Sequence, residues 1–171
     1  IYAFFRYLNE PHFFYQNPLE SWSSDLNPDN AADATLSEAQ QQALTEHERA
    51  LQEYNAFKSK AALVLPDFFD AERTIPKLDY EVVPVSYEDA PYGGVAWYQD
   101  GNPQTGRKGQ FYLNTYYPYG LQNWNISTLL SHEAAPGHHF QITIAQELAA
   151  KDPDFPQYVA NASYTAYAEG W

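Results

Sequence analysis

A mainly α-helical domain carrying a small antiparallel β-sheet, an α+β fold, is what this sequence predicts, and three stretches predict it. Between Ser37 and Leu65 apolar positions recur at alternating steps of three and four, the stripe of an amphipathic helix. From Tyr80 to Leu113 the texture changes to short runs of Val, Tyr, Trp and Phe separated by turn formers, which reads as strands. From Ile126 to Leu148 helical spacing returns, interrupted by a single Pro-Gly. The chain divides into a helical part, residues 1–78, and a hairpin with further helices, residues 79–171, with no repeat and no linker between them.

In chain order, Ile1, Phe4, Phe5, Tyr7 and Leu8 suggest a short helix, and Phe13-Phe14-Tyr15 a packed turn after Pro11. His12, beside Pro11, reads as a surface or structural residue. Residues 17–33, rich in Ser, Asn, Asp and Pro, read as loop. Thr35-x-x-Glu38 and Ser37-x-x-Gln40 each offer a capping box for the long helix, whose stripe is Leu44, His47, Leu51, Tyr54, Lys58, Ala61 and Leu65. Pro66 is expected to end it. His47-Glu48 copies two letters of a metal motif, but Leu51 stands where the second ligand belongs, so the pair reads as helix packing.

Tyr80–Val85 reads as a strand that Pro84 confines to a sheet edge or a strand end. Val95–Tyr98 and Gln110–Leu113 read as a hairpin joined by the turn-rich residues 100–108. An antiparallel sheet of two or three strands follows, with Asn114 and Thr115 at its end either meeting a substrate or capping a turn. After a turn at 116–120, Asn125 or Ser127 caps a helix through Leu130 and Ala134, which resumes after Gly137 and ends before Pro153. A last helix is expected over 160–171.

Composition narrows the chemistry. The 171 residues are 44% hydrophobic and 18% charged, enough apolar content for one globular core. Twenty-two acidic against nine basic residues leave a formal charge of −13, which excludes a nucleic-acid backbone as partner. There is no cysteine, so any metal is held by His and carboxylates. No apolar run is long enough for a transmembrane helix. The chain has no Met and begins at Ile1, and it reads as an excised piece of a larger fold.

Three of the five histidines fall within Ser131-His132-Glu133-Ala134-Ala135-Pro136-Gly137-His138-His139. Two His four apart on a helix, with a Glu after the first, make the zinc motif His-Glu-x-x-His, in which that Glu takes a proton from water. Here the fifth position is Pro136 and the next His is 138. Six residues of ideal helix turn the direction by about 240° net and rise about 9 Å, so His132 and His138 would face apart. Pro136 has no N–H, and its ring opposes the His132 carbonyl four residues earlier. Gly137 tolerates unusual backbone angles. If two residues loop out there, His138 returns to the face of His132. On spacing His138 is the preferred ligand and His139 the alternative, the other being free to bind an oxyanion or support a ligand.

This run, HEAAPGHH with Phe140-Gln141-Ile142, followed downstream by Tyr164-Thr165-Ala166-Tyr167-Ala168-Glu169-Gly170-Trp171, resembles the HE-x-x-PGHH-x-Q and EGW signature of the bacterial domain of unknown function 885 family. Gly109–Thr115 also resembles the strand before the motif in that family. The resemblance covers most of the chain from Tyr80 onward, and the helical part more loosely. It implies a gluzincin-like metallopeptidase helical scaffold and an exported protein, periplasmic or membrane-anchored. It also implies that Glu169, on a second helix, is the third ligand. The expected site is then Zn2+ on His132, His138 and Glu169 with one open position, and Glu133 as general base. His139 and Tyr164 (or Tyr167) are the expected donors to a developing oxyanion. The reaction expected is hydrolysis of a peptide or small amide, the alternative being a metal-binding or structural helical domain without catalysis.

Overall fold

The computed structural model describes residues 1–16, 26–30, 32, 35–117, 120–156 and 165–169. In order, its elements are α1 (Tyr2–Leu8), β1 (Phe14–Tyr15), α2 (Glu38–Phe68), β2 (Tyr80–Pro84), β3 (Ala96–Gln99), β4 (Gly109–Leu113), β5 (Leu121–Gln122), α3 (Ile126–Glu133), α4 (His138–Ala149) and α5 (Thr165–Glu169). The α+β class read from the sequence is the class observed.

Of the two capping boxes, the one at Ser37 forms. Its hydroxyl accepts the Gln40 N–H at 3.3 Å, and the Gln40 side chain accepts the Ser37 N–H at 2.9 Å. Two otherwise orphaned donors are thereby satisfied. The helix buries Ala43, Ala50 and Tyr54 on one face. It runs through Pro66 to Phe68 rather than stopping at the proline. Pro66 forfeits only its own N–H bond, and the next turn still closes, the Phe69 N–H reaching the Leu65 carbonyl at 2.9 Å.

A two-stranded antiparallel sheet, β1 with β5, is absent from the sequence reading. Two-residue strands carry no readable periodicity. A charge cluster holds this sheet against α2: Arg49 bridges Glu46 at 2.6 Å and Glu53 at 3.1 Å and lies 4.5 Å over the Tyr15 ring. The Tyr15 hydroxyl in turn bonds Glu53.

The main sheet has the order β2-β4-β3. β3 and β4 form the expected antiparallel hairpin, with Tyr98 opposite Phe111. β2 instead runs parallel to β4, from Tyr80 opposite Gly109 to Pro84 opposite Leu113, so the three-stranded sheet is mixed. Pro84 does lie on an edge strand, where its missing N–H leaves no gap in a central ladder. The central strand carries the core: Phe111 and Leu113 are fully buried and cluster with Tyr54 of α2, Leu130 of α3, Ala134 just after it, and Phe140 of α4. The motif helices are thus packed directly on the sheet and on α2.

His47 is a second packing point. Its ring stacks on Tyr116 with centroids 4.7 Å apart, and Nδ1 bonds the Thr115 hydroxyl. Burial pushes its pKa below the usual histidine value, against the opposing pull of Asp29 and Glu48. Folding therefore favours the neutral ring. Below about pH 6.5 the unfolded chain binds the extra proton and the folded chain does not. This contribution is full above that pH and is lost as the pH falls. The expected outcome is a drop in urea midpoint between pH 7.5 and 5.5 that is smaller in His47→Gln than in the unsubstituted protein, followed by tryptophan fluorescence.

Candidate metal centre

The two halves of the motif are separate helices. The last regular bond of α3 runs from the Ala134 N–H to the Leu130 carbonyl at 2.9 Å. Pro136 has no N–H to offer the His132 carbonyl. The chain instead crosses over itself: the Gly137 N–H reaches back to the Ser131 carbonyl at 2.8 Å, spanning one residue more than a π-turn. α4 then starts afresh, with the Gln141 N–H bonded to the Gly137 carbonyl at 3.1 Å. The crossing needs glycine for its lack of a side chain, because a Cβ at 137 would overlap the backbone of both Ser131 and His132. The expected loop-out takes the form of a wide turn between two helices, which the His139 N–H also bridges by bonding the Ala134 carbonyl at 3.1 Å.

The break brings the imidazoles together. The rings of His132 and His138 lie 4.8 Å apart, edge to face. Glu169, arriving on α5, places Oε2 3.1 Å from His132 Nε2 and 3.5 Å from His138 Nε2. Donor atoms of His132, Glu133 and His138 also lie within 4.8 Å of one another. Metal–ligand bonds of about 2.0–2.1 Å in a tetrahedron separate neighbouring donors by roughly 3.3 Å, so these spacings suit one zinc-sized cation. The tautomer suits it too. His138 Nδ1 faces Gln141 Oε1 at 3.2 Å, and by donating there it leaves the Nε2 lone pair toward Glu169. The donor set, two imidazoles and a carboxylate with no thiolate, fits zinc with an open position.

Glu133 is half-buried beside these donors. Burial raises its pKa above the ordinary glutamate value; His132, His138 and the Tyr98 backbone N–H pull it down, and Glu169 pushes it up. A carboxylate so placed accepts a proton more readily than one in water.

His139 does not join the cluster. It is buried, with Nδ1 2.8 Å from the Tyr98 hydroxyl and 3.3 Å from that of Thr143, and its ring packs on Tyr80. Burial lowers its pKa to about 4, the Leu78 backbone acting in the opposite sense. Adjacent helical positions point about 100° apart, so when His138 faces the cluster His139 faces the core. Tyr164 lies outside the described residues, as does the side chain of Tyr167. Asn114 is fully buried and clamps the loop before β3, donating to the carbonyls of Ala90 at 2.8 Å and Gly94 at 3.1 Å. Thr115 is taken up by His47. The roles of two residues here, Gln141 and Tyr98, escaped the sequence reading. Gln141 was visible as the polar residue three after His138, the spacing at which helical side chains meet. Tyr98 had no local signal, since it reaches the motif only through the sheet.

Comparison with known proteins places these residues in context. The model of a family described as "Bacterial protein of unknown function (DUF885)" matches residues 19–171. No curated protein matches the chain. A solved structure described as "The crystal structure of the putative lipoprotein from Colwellia psychrerythraea" is similar in fold, with a TM-score of 0.68 at 23% identity over 95% of this chain. The chain spans 22% of that protein's length.

The crossing at Gly137 makes a sharp prediction. Gly137→Ala is expected to destabilise the fold by about 2 kcal/mol or more, since backbone rather than a yielding side chain stands in the way. Gly94→Ala, where a Cβ would meet only the Ala96 carbonyl at 3.8 Å, should cost less than about 0.5 kcal/mol. Urea midpoints of the two variants side by side check this.

Proposed function

The chain belongs to the bacterial family DUF885, and on that footing we propose that it is the metal-binding part of a zinc-dependent, gluzincin-like hydrolase acting on peptides or small amides. The observation that carries this reading is the meeting of His132 Nε2, His138 Nε2 and Glu169 Oε2 beside Glu133. Zinc, when bound, supplies a Lewis acid that acidifies water and polarises a carbonyl. His132, His138 and Glu169 would hold it. Glu133 would take the proton of the attacking water on its carboxylate and pass it to the leaving nitrogen. His139 is assigned a supporting role here, because its ring nitrogen is already engaged in the core.

An extended peptide is the substrate class the surroundings favour. β3 lies at the end of the sheet order, so one of its edges has no partner strand among the described residues. The Asn114 N–H bonds the Val95 carbonyl at 3.0 Å, so in this antiparallel register Val95, Trp97 and Gln99 face β4. Ala96 and Tyr98 therefore turn their main-chain groups outward, beside Glu133. A peptide backbone can add to such an edge at Ala96, whereas the Tyr98 N–H is turned to Glu133. Export or anchoring at a membrane is proposed from the likeness to the lipoprotein structure, and no helix among the described residues is long and apolar enough to cross a membrane.

Two measurements test the reading. Protein prepared without a histidine tag should carry about one zinc per chain, and His132→Ala should lose it. Glu133→Gln should keep its zinc while hydrolysis across a panel of peptides and acyl amides falls by roughly 100- to 10,000-fold. Retained zinc with no turnover in the unsubstituted protein would point to a structural metal site, and absence of zinc would remove the proposal.

A further inference from the structure

The two imidazoles of the cluster hold their protons on different nitrogens. On α4 the Gln141 amide oxygen lies 3.2 Å from His138 Nδ1, three residues away on the same helix face. An amide oxygen only accepts, so the ring proton of a neutral His138 sits on Nδ1 and the lone pair on Nε2. That Nε2 faces Glu169 Oε2 at 3.5 Å. His132 is set the opposite way. Its Nε2 meets Glu169 Oε2 at 3.1 Å in hydrogen-bond geometry, and a carboxylate only accepts, so here the proton sits on Nε2. Among the described residues no hydrogen-bond partner meets His132 Nδ1. The His138 side chain is 15% exposed and that of His132 39%, so water competes less for the nitrogens of His138.

We propose that Gln141 is a positioning residue that holds His138 in the tautomer a metal needs before any ion arrives, leaving His132 as the ligand that must rearrange. To present its own Nε2, His132 gives that proton to solvent and takes another on Nδ1, with no net change in charge. His138 needs no such step. Its bond to Gln141 lies within one turn of α4, so ligand and support move together however the chain crosses at Gly137. With an apolar side chain at 141 the His138 proton is free to move to Nε2, where Glu169 would hold it against a metal. The claim rests on the metal-site reading above only for its effect on affinity; the tautomer belongs to the ion-free chain.

The experiment compares Gln141→Leu, which removes the acceptor at little cost in helix propensity, with Gln141→Glu, which keeps an oxygen there. The first readout is the proton–nitrogen correlation spectrum of the histidine rings in metal-free protein at about pH 8, where an ordinary imidazole is neutral. His138 is expected to carry its proton on Nδ1 in the unsubstituted protein and in Gln141→Glu, and to shift toward Nε2 in Gln141→Leu. His132 should carry its proton on Nε2 in all three. The second readout is zinc affinity by chelator competition. Gln141→Leu should weaken it about tenfold, as loss of a contact behind a metal ligand does, and Gln141→Glu should restore it. A His138 proton on Nε2 in the unsubstituted protein, or a tautomer that Gln141→Leu leaves unchanged, overturns the hold. A shifted tautomer with unchanged zinc affinity overturns the positioning role, and a His132 proton on Nδ1 overturns the contrast between the two ligands. If the unsubstituted protein takes up no zinc, the function proposed above falls, while the ring spectra still decide whether Gln141 fixes His138.

Discussion

The arrangement depends on one steric fact, that the main chain at Gly137 lies against the carbonyl of His132. Nothing larger than hydrogen fits on that Cα, since Ser131 and His132 backbone atoms occupy the space. Because Pro136 cannot extend the ladder, the chain uses the Gly137 N–H to satisfy Ser131 instead, and a new helix begins at once. The net effect replaces the turn and rise of a continuous helix by a crossing. That crossing sets His138 beside His132.

From this crossing the division of labour between two adjacent histidines follows. Helical geometry lets only one of His138 and His139 face a given direction. His138 goes to the carboxylate of Glu169, with Gln141 behind it. His139 goes into the core, where Tyr98, Thr143 and Tyr80 surround it and desolvation keeps it neutral. The pair thus reads as one residue facing the cluster and one facing the scaffold, and neither can exchange roles without rotating α4.

The sheet supplies what the helices lack. β4, fully buried at Phe111 and Leu113, is the plane against which α2, α3 and α4 are set. β3 continues that plane to an edge beside Glu133. Asn114 fixes the approach to β3 by donating to two carbonyls of the preceding loop, which accounts for a buried amide group at the end of a strand. Those two bonds satisfy the buried Asn114 NH2 group.

By itself the sequence determined the local features: the capped amphipathic helix from Ser37, the hairpin, the edge position of Pro84, and the interruption of a helix by Pro136-Gly137 between His132 and His138. Each is written in the order of neighbouring residues, where propensity and periodicity act. The passage of α2 through Pro66 was hidden because a proline's cost depends on how many bonds remain beyond it. Parallel pairing of β2, the β1–β5 pair, which of His138 and His139 faces Glu169, and the contact of Tyr98 with His139 were decided only in three dimensions. They arise from packing between segments far apart in the chain, and no local pattern records which face of a helix the rest of the molecule will cover.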